Sequence, residues 1–193
     1  MLKLPQITLI AVTGKDIPSH QKAIDESCKG MEFGAVKLVE KHFDTIDEWS
    51  EYIVYDLYKH VETEFALLIH ADGYVIHPEL WDDEWLKLDY IGSPWPLPKD
   101  DFSYRDIDGK IQRVGNGVSL RSFDLLELPS RIHMEWKPFH GFWNEDGFIS
   151  VNRRHVFEEH GMKFGTFEQA LRFGKEHELP EHEGKDTFLF HSL

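Results

Sequence analysis

The sequence has a single cysteine, a deficit of positive charge and no long apolar run. Cys28 stands alone among 193 residues, which excludes an internal disulfide and a zinc site built from several cysteines. The apolar runs are far shorter than the ~18 residues that a membrane span needs. The first residues also lack the apolar core of a signal peptide. We therefore expect a cytoplasmic protein without a transmembrane segment.

The balance of charge restricts the partners that the protein can bind. The chain has 35 acidic and 21 basic residues, so its formal net charge is −14. This charge argues against nonspecific binding to nucleic acid, which requires Lys and Arg to neutralise phosphates, and against attraction to anionic lipid. An acidic protein still binds a pyrophosphate where a metal ion or a helix N-terminus supplies the positive field.

The order of apolar segments predicts the fold class. The length fits one domain, and 41% hydrophobic and 29% charged residues are ordinary for a globular protein. Apolar, β-branched runs predict strands at residues 7–12, 35–39 and 65–69. Helices are predicted at residues 18–28 and after Thr45, which forms the pattern of a capping box with Glu48. The order β-α-β-α-β predicts a single α/β domain with a mostly parallel central sheet flanked by helices.

The run at residues 65–69 leads into the first candidate site. It has no polar alternation, which suits a strand buried on both faces, and His70-Ala71-Asp72-Gly73 ends it. Ligands of open α/β sheets bind beyond the carboxyl ends of the strands. His70 and Asp72 are two residues apart and can point the same way, toward a divalent metal and a phosphorylated donor. The alternative is a plain strand followed by an Asp-Gly turn.

Another loop lies at a position typical of nucleotide binding. Thr13-Gly14 closes the first predicted strand, although no Gly-x-Gly-x-x-Gly or P-loop pattern accompanies it.

Four stretches together resemble a known family. They are His70-Ala71-Asp72-Gly73, Tyr90-Ile91-Gly92-Ser93-Pro94-Trp95, Val114-Gly115-Asn116-Gly117-Val118-Ser119-Leu120-Arg121-Ser122 and Asn144-Glu145-Asp146. Their order and context resemble the DUF5672 family, a set of glycosyltransferase-like proteins related to the GT-A nucleotide-diphospho-sugar transferases. The resemblance implies a single GT-A-like (Rossmann-like) domain over residues 1–193. Residues 1–75 would form its nucleotide-binding half, and residues 76–193 its acceptor and catalytic half.

The resemblance implies a metal and donor site after the third strand. Asp72 maps to the metal-binding acid of the Asp-x-Asp motif, and His70 stands where that motif has its first Asp. His191 resembles the late histidine that many GT-A enzymes place on the metal. The implied cofactor is Mn²⁺ or Mg²⁺, with a nucleotide-diphosphate sugar, a UDP-sugar first, as the donor. The positions expected to contact this donor and its metal are Thr13, Gly14, His70, Asp72 and Gly73. A structural hydrogen bond is the alternative role for His70.

The resemblance also implies catalytic and sugar-binding residues. Asn144-Glu145-Asp146 resembles the x-Glu-Asp motif of inverting members, with Asp146 as the catalytic base and Glu145 as the alternative base. A carboxylate at a helix start is the alternative role for Asp146.

Asn116 and Gly117 would let a sugar approach the backbone closely, or they form only a turn. Trp95 and Trp143 would stack on a sugar face, or they pack in the core.

These expectations combine into one function and two alternatives. We expect a metal-dependent, inverting glycosyltransferase that moves a sugar from a nucleotide diphosphate to a saccharide or another hydroxyl acceptor. The first alternative is a non-catalytic module of the same fold that binds a sugar nucleotide or a glycan. The second is a metal-dependent phosphoesterase that uses the same His and Asp residues.

Overall fold

The computed structural model describes residues 1–137 and 144–192 of the chain. Its centre is one five-stranded sheet. The strands are β1 (Leu2–Thr13), β2 (Met31–Glu40), β3 (Phe65–Leu68), β4 (Tyr90–Pro94) and β5 (Val114–Ser122). Their order across the sheet is β2-β1-β3-β5-β4. The three strands predicted from apolar runs are all present.

The sheet is mixed and not strictly parallel, because one of its five strands runs against the other four. β1 pairs in parallel with β2 and β3, because helices carry the chain back between these strands. β5 is antiparallel to both of its neighbours, β3 and β4. Residues 95–113 return from the end of β4 without a crossover helix, so the next strand enters the sheet in the opposite direction.

Six α-helices and a second, small sheet surround the centre in the described part of the chain. The helices are α1 (Ile17–Ser27), α2 (Ile46–Asp56), α3 (Phe123–Arg131), α4 (Glu145–Gly147), α5 (Arg154–Glu159) and α6 (Phe167–Phe173). Single turns of other helix types cover Leu57–His60, Pro78–Leu80, Asp83–Lys87, Phe148–Asn152 and Pro180–His182. The small sheet pairs β6 (Gly174–Lys175) in parallel with β7 (Leu189–Phe190). None of the helices in these described residues is long and apolar enough to cross a membrane.

Alternation along β1 divides the core between the two faces of the sheet. Leu9 and Ala11 belong to the cluster that also contains Ala23 of α1. Ile10 and Val12 belong to the opposite cluster, with Ile53 of α2. Because successive side chains of a strand point to opposite faces, β1 is buried on both sides.

The start of α2 is fixed by a cap close to the predicted one. The Thr45 hydroxyl accepts a hydrogen bond from the Glu48 amide at 3.1 Å. The Glu48 carboxylate accepts from the amide of Asp44 at 2.9 Å, one residue before the position that a capping box requires. The capped end of α2 therefore lies at the carboxyl end of the sheet, next to the loop after β1.

A buried ion pair joins the sheet to the acidic segment that contains α4. Arg121 on β5 is 0% exposed, and its Nη2 donates to Oε1 of Glu145 at 2.9 Å. Its Nε donates to the Ser119 hydroxyl at 2.8 Å, and its guanidinium carbon lies 5.5 Å from the centre of the Tyr90 ring. These contacts hold Glu145, and the residue after it, against the sheet.

Removing one member of this pair should destabilise the fold. Arg121→Met leaves the Glu145 carboxylate buried and unpaired, so we expect the free energy of unfolding to fall by roughly 3–5 kcal/mol. The double variant Arg121→Met, Glu145→Leu removes both charges and should regain most of that loss. Arg131→Met is the control, because its pair with Glu127 is partly exposed and contributes about 0–1 kcal/mol. Urea unfolding measures all three, and equal losses for the two single variants would contradict the expectation.

Candidate functional site

Three predicted metal ligands meet beyond the carboxyl end of β3. His70 Nδ1 lies 3.2 Å from His191 Nε2, which lies 3.6 Å from Asp72 Oδ1. One ligand atom from each residue falls within 4.8 Å of the others. The amide of Ser192 donates to the Asp72 carbonyl at 2.8 Å, so the end of the chain is tied to the turn after β3. The structure therefore brings these residues together, and their role as ligands stays a prediction.

The spacing of the donor atoms fits one transition-metal ion. An ion about 2.1 Å from each of two imidazole nitrogens holds them roughly 3.0–3.4 Å apart, for bond angles between a right angle and a tetrahedral one. The observed separation between His70 and His191 is 3.2 Å. Two imidazoles and one carboxylate suit Mn²⁺ or a softer ion better than Mg²⁺, which prefers oxygen ligands and water.

The protonation states of His70 and Asp72 suit a cation. Burial, with the nearby His191 second, lowers the pKa of His70 to about 3, so His70 is neutral at pH 7. Burial opposes ionisation of Asp72, but the hydrogen bond from Ser192 and the nearby His191 outweigh it and lower the pKa of this carboxyl. Burial likewise opposes protonation of His191, but the Glu176 carboxylate outweighs it and raises the pKa.

Two glycines are needed because the imidazoles approach the backbone closely. A Cβ on Gly73 would lie 2.8 Å from Cδ2 of His191, and one on Gly117 would lie 2.7 Å from Cε1 of His70. Both positions were predicted to face a donor or a sugar. The space beside Gly117 is filled by the His70 imidazole, and the space beside Gly73 by Val118 and the His191 imidazole.

A pocket of about 350 Å³ adjoins the cluster. It is lined by Val12, Thr13, Gly14, Lys15, His20, Phe43, Asp44, Thr45, Ile46, Trp49, His70, Ala71 and Asp72. The loop after β1 and the turn after β3 therefore form one cavity, and nucleotide binding by these residues stays a prediction. Trp49 meets His70 edge-on, with ring centres 5.4 Å apart, and its Nε1 donates to the Val12 carbonyl at 3.0 Å.

A larger pocket lies at the opposite edge of the sheet and contains none of the predicted site residues. Its volume is about 790 Å³, and residues 61–65, at the start of β3, form part of its wall. We place the site in the smaller pocket because His70 and Asp72 of the cluster line it and because ligands of α/β sheets bind at the carboxyl edge of the sheet.

Asp146 has the properties of a base. Its Oδ2 accepts the amide of Asn116 at 3.1 Å and its Oδ1 accepts the amide of Gly147 at 2.7 Å. Burial, followed by the negative charges of Glu145 and Glu176, raises the pKa of Asp146 to about 7. Glu145, the alternative base, is 2% exposed and engaged by Arg121, so of the two Asp146 is the better placed to accept a proton.

Asn116 serves the site through its backbone. It is 0% exposed, and its backbone φ of +94° is unusual for a residue with a side chain. Its Nδ2 donates to the Ser93 hydroxyl at 3.0 Å, and its Oδ1 accepts the amide of Val118 at 3.1 Å. The register between β4 and β5 is irregular here. The side chain is therefore occupied within the core, and the amide that it positions contacts Asp146.

Trp95 lies beside the site but packs inside the protein. It is 5% exposed and stacks on Tyr104, with ring centres 4.8 Å apart and planes at 17°. A Cβ on Gly115 would come within 1.9 Å of its Cζ2. The ring is thus buried against protein groups, which favours core packing over sugar stacking. Trp143, the other tryptophan predicted to stack on a sugar, lies outside the described residues.

Glu176 belongs to the site and was missed by the sequence analysis. Its Oε1 lies 3.6 Å from Nδ1 of His191, and its Oε2 accepts from Nε1 of Trp95 at 3.1 Å. It follows β6 directly in the charged stretch at residues 175–178, which has the pattern of a solvated loop. No motif distinguishes Glu176 from its neighbours, and only the pairing of β6 with β7 shows its position.

The motifs that form this site extend over most of the chain, and so does a family match. The model of the DUF5672 family, described as a protein of unknown function, matches residues 32–191. The chain belongs to the DUF5672 family. The resemblance carried by the four motifs is therefore confirmed. A comparison of this DUF5672 chain with curated proteins gives no match.

The fold of the DUF5672 chain is also that of a solved glycosyltransferase. Seven chains of solved structures are similar to it. One is described as a glycosyltransferase involved in the glycosylation of the major capsid of PBCV-1. The TM-score is 0.59 and the identity 14%, and the similarity covers 96% of the DUF5672 chain and 91% of the other. At this identity the similarity establishes the fold.

The raised pKa of Asp146 should make the stability of the DUF5672 chain depend on pH. An aspartate in the unfolded chain has a pKa of ~3.9, whereas that of folded Asp146 is about 7. The folded state binds this proton more tightly, so the stabilisation is complete below about pH 4 and is lost as the pH rises through the folded pKa. Asp146→Asn should remove this loss. Relative to the wild type, its free energy of unfolding should improve by up to about 1.4 kcal/mol per pH unit across this window.

Chemical unfolding of the wild type and Asp146→Asn at several pH values between about 4 and 8 measures this effect. Because the asparagine keeps one carbonyl acceptor for the two amides, the variant should fold. Parallel pH profiles for the two proteins would contradict a raised pKa.

Proposed function

We propose that this protein is a metal-dependent GT-A glycosyltransferase. It transfers a sugar, with inversion, from a nucleotide-diphosphate donor to a hydroxyl of a saccharide or another acceptor. The observation that carries the proposal is the convergence of His70, Asp72 and His191 beside a pocket at the end of β1, with the Asp146 carboxylate near enough to act on the pKa of His191. The fold shared with a solved glycosyltransferase supports it.

The donor's nucleotide occupies the pocket formed by the nucleotide-binding half, residues 1–75. Its volume of about 350 Å³ lies within the ~300–1,000 Å³ that is usual for ligand sites. Thr13 and Gly14 form its wall at the end of β1, and Lys15 and His20 bring groups that can carry positive charge to a negatively charged protein. A UDP-sugar is the donor that we expect first.

His70, Asp72 and His191 hold the metal ion, and Mn²⁺ fits this donor set better than Mg²⁺. When bound, such an ion supplies Lewis acidity that stabilises the negative charge of a leaving diphosphate. The protein contributes a neutral imidazole from His70, since burial keeps the pKa of this residue at about 3. The ionised Asp72 contributes the negative charge of the ligand set.

Asp146 removes the proton from the acceptor hydroxyl. The hydroxyl oxygen attacks the anomeric carbon of the donor sugar, and the bond between that carbon and the phosphate oxygen breaks. A base works best when its pKa lies near the working pH, and the pKa of Asp146 is about 7. The two backbone amides that contact its oxygens fix the orientation of the carboxylate. The Glu145 carboxylate, by contrast, is buried and paired with Arg121.

A thermal-shift screen tests donor and metal binding. Nucleotide sugars are tested with and without Mn²⁺, and a true donor should raise the melting temperature by mass action. At 100 times the dissociation constant the gain is about 2.7 kcal/mol, or several degrees for a chain of this length. Asp72→Ala should abolish the Mn²⁺-dependent part of the shift. Asp25→Ala, on the outer side of α1, is the control and should behave as the wild type. Equal Mn²⁺-dependent shifts for Asp72→Ala and the wild type would refute the metal assignment.

Asp146→Asn separates binding from transfer. We expect the donor to bind with unchanged affinity, because the asparagine keeps the shape of the side chain, and kcat to fall by about 10²–10⁴-fold because the proton acceptor is lost. Calorimetry measures donor binding, and product analysis measures transfer and the configuration of the new bond. Full activity in the variant would refute the role as base.

The same assays distinguish the two alternative functions. Donor binding with no transfer by the wild type, across a broad panel of acceptors, would identify a non-catalytic module. Steady metal-dependent release of phosphate from generic esters would identify a phosphoesterase.

A further inference from the structure

The pairing of the last two strands places Glu176 beside a candidate metal ligand. β6 and β7 pair Gly174 with Leu189 and Lys175 with Phe190, so the same parallel register continues to Glu176 and His191. The amide of His191 donates to the carbonyl of Lys175 at 2.9 Å, which extends the ladder by one bond. The backbone therefore fixes the two side chains next to each other.

The carboxylate of Glu176 is held from its other side as well. Nε1 of Trp95 donates to Oε2 at 3.1 Å, and Nε2 of His177 lies 3.7 Å from the same oxygen. The side chain is only 18% exposed. Because Trp95 is itself stacked on Tyr104, its ring N–H is a rigid donor. The remaining oxygen, Oε1, is left facing His191.

The imidazole of His191 lies between two different environments. Its Nε2 is 3.2 Å from Nδ1 of His70 and 3.6 Å from Oδ1 of Asp72, on the side of the candidate metal site. Its Nδ1 is 3.6 Å from Oε1 of Glu176. A distance of 3.6 Å is too long for a hydrogen bond, so the carboxylate acts on Nδ1 chiefly through its charge.

A neutral imidazole has one proton and one lone pair, and only the nitrogen with the lone pair can bind a metal. A carboxylate next to one ring nitrogen favours the proton on that nitrogen and makes the other a better ligand. We propose that Glu176 is a positioning residue: it keeps the proton of His191 on Nδ1, so that Nε2 presents its lone pair toward His70 and Asp72. This inference rests on the proposed metal site.

The competing possibility is that Glu176 serves only to anchor Trp95. The two roles make different predictions for Glu176→Gln, which keeps the size of the side chain and one oxygen that can accept from Trp95. If that oxygen stays on Trp95, the amide group of the glutamine faces Nδ1 of His191 as a donor. A donor at that position moves the His191 proton to Nε2 and blocks metal binding. An anchoring role predicts no such change.

The tautomer of His191 can be measured without any metal. Nitrogen-15 NMR of the metal-free protein, at an alkaline pH where the ring is neutral, distinguishes protonated Nδ1 from protonated Nε2. His191→Asn identifies the signals. We expect the wild type and the control Glu178→Gln to carry the proton on Nδ1, because Glu178 is 80% exposed and pairs with Lys175. Glu176→Gln should shift the population toward Nε2. A wild type protonated on Nε2, or an unchanged population in Glu176→Gln, would overturn the inference.

Binding of Mn²⁺ alone, followed by electron paramagnetic resonance of the free ion, provides the second readout. Glu176→Gln should weaken affinity by about 10–100-fold, as is usual when an outer partner of a ligating histidine is lost. Glu176→Asp should recover part of this loss. The control Glu178→Gln should bind Mn²⁺ as the wild type does. Melting temperatures confirm that each variant is folded.

The outcomes separate this inference from the proposed function. If Asp72→Ala loses Mn²⁺ and Glu176→Gln binds it as the wild type does, the positioning role is wrong and the metal site stands. If the wild type and Asp72→Ala bind Mn²⁺ equally, or neither binds it, both the metal site and the role of Glu176 are wrong.

Discussion

The buried ion pair between Arg121 and Glu145 is the interaction on which the candidate catalytic arrangement depends. Arg121 belongs to a strand that is buried along its whole length. Among the ion pairs of the described residues, its guanidinium is paired with Glu145 alone. A buried pair of this kind contributes little net stability, but breaking it is costly because one charge remains unpaired. The pair therefore specifies where the acidic segment must lie, and Asp146 is the next residue along it.

The same pair lies next to the groups that act on the pKa of Asp146. Burial is the first cause of the raised pKa, which is about 7, and the negative charges of Glu145 and Glu176 add to it, whereas the Arg121 guanidinium lowers it. The ion pair therefore explains the position of the proposed base, and burial is the main reason that its carboxylate can accept a proton near neutral pH.

The candidate metal cluster depends on a different long-range contact. His70 follows the third strand and His191 lies 121 residues later, yet their ring nitrogens are 3.2 Å apart. The end of the chain reaches this position through the small sheet that also carries Glu176. The site thus combines the ends of two sheets. A likeness of fold to a glycosyltransferase does not by itself assign an activity, and the proposed function rests on this arrangement of side chains.

The sequence by itself determined the first three strands, the two helices between them and the position of His70 and Asp72 beyond a buried strand. Periodicity and caps are local, and they act wherever the segment lies in the fold. The family motifs added His191 and Asp146. Only the tertiary structure decided that the sheet is mixed, that the side chains of Asn116 and Trp95 are held in the core, and that Glu176 belongs to the site. These features depend on pairings between segments far apart in the chain. A local sequence pattern does not specify which strands will pair or which charged side chains will be neighbours.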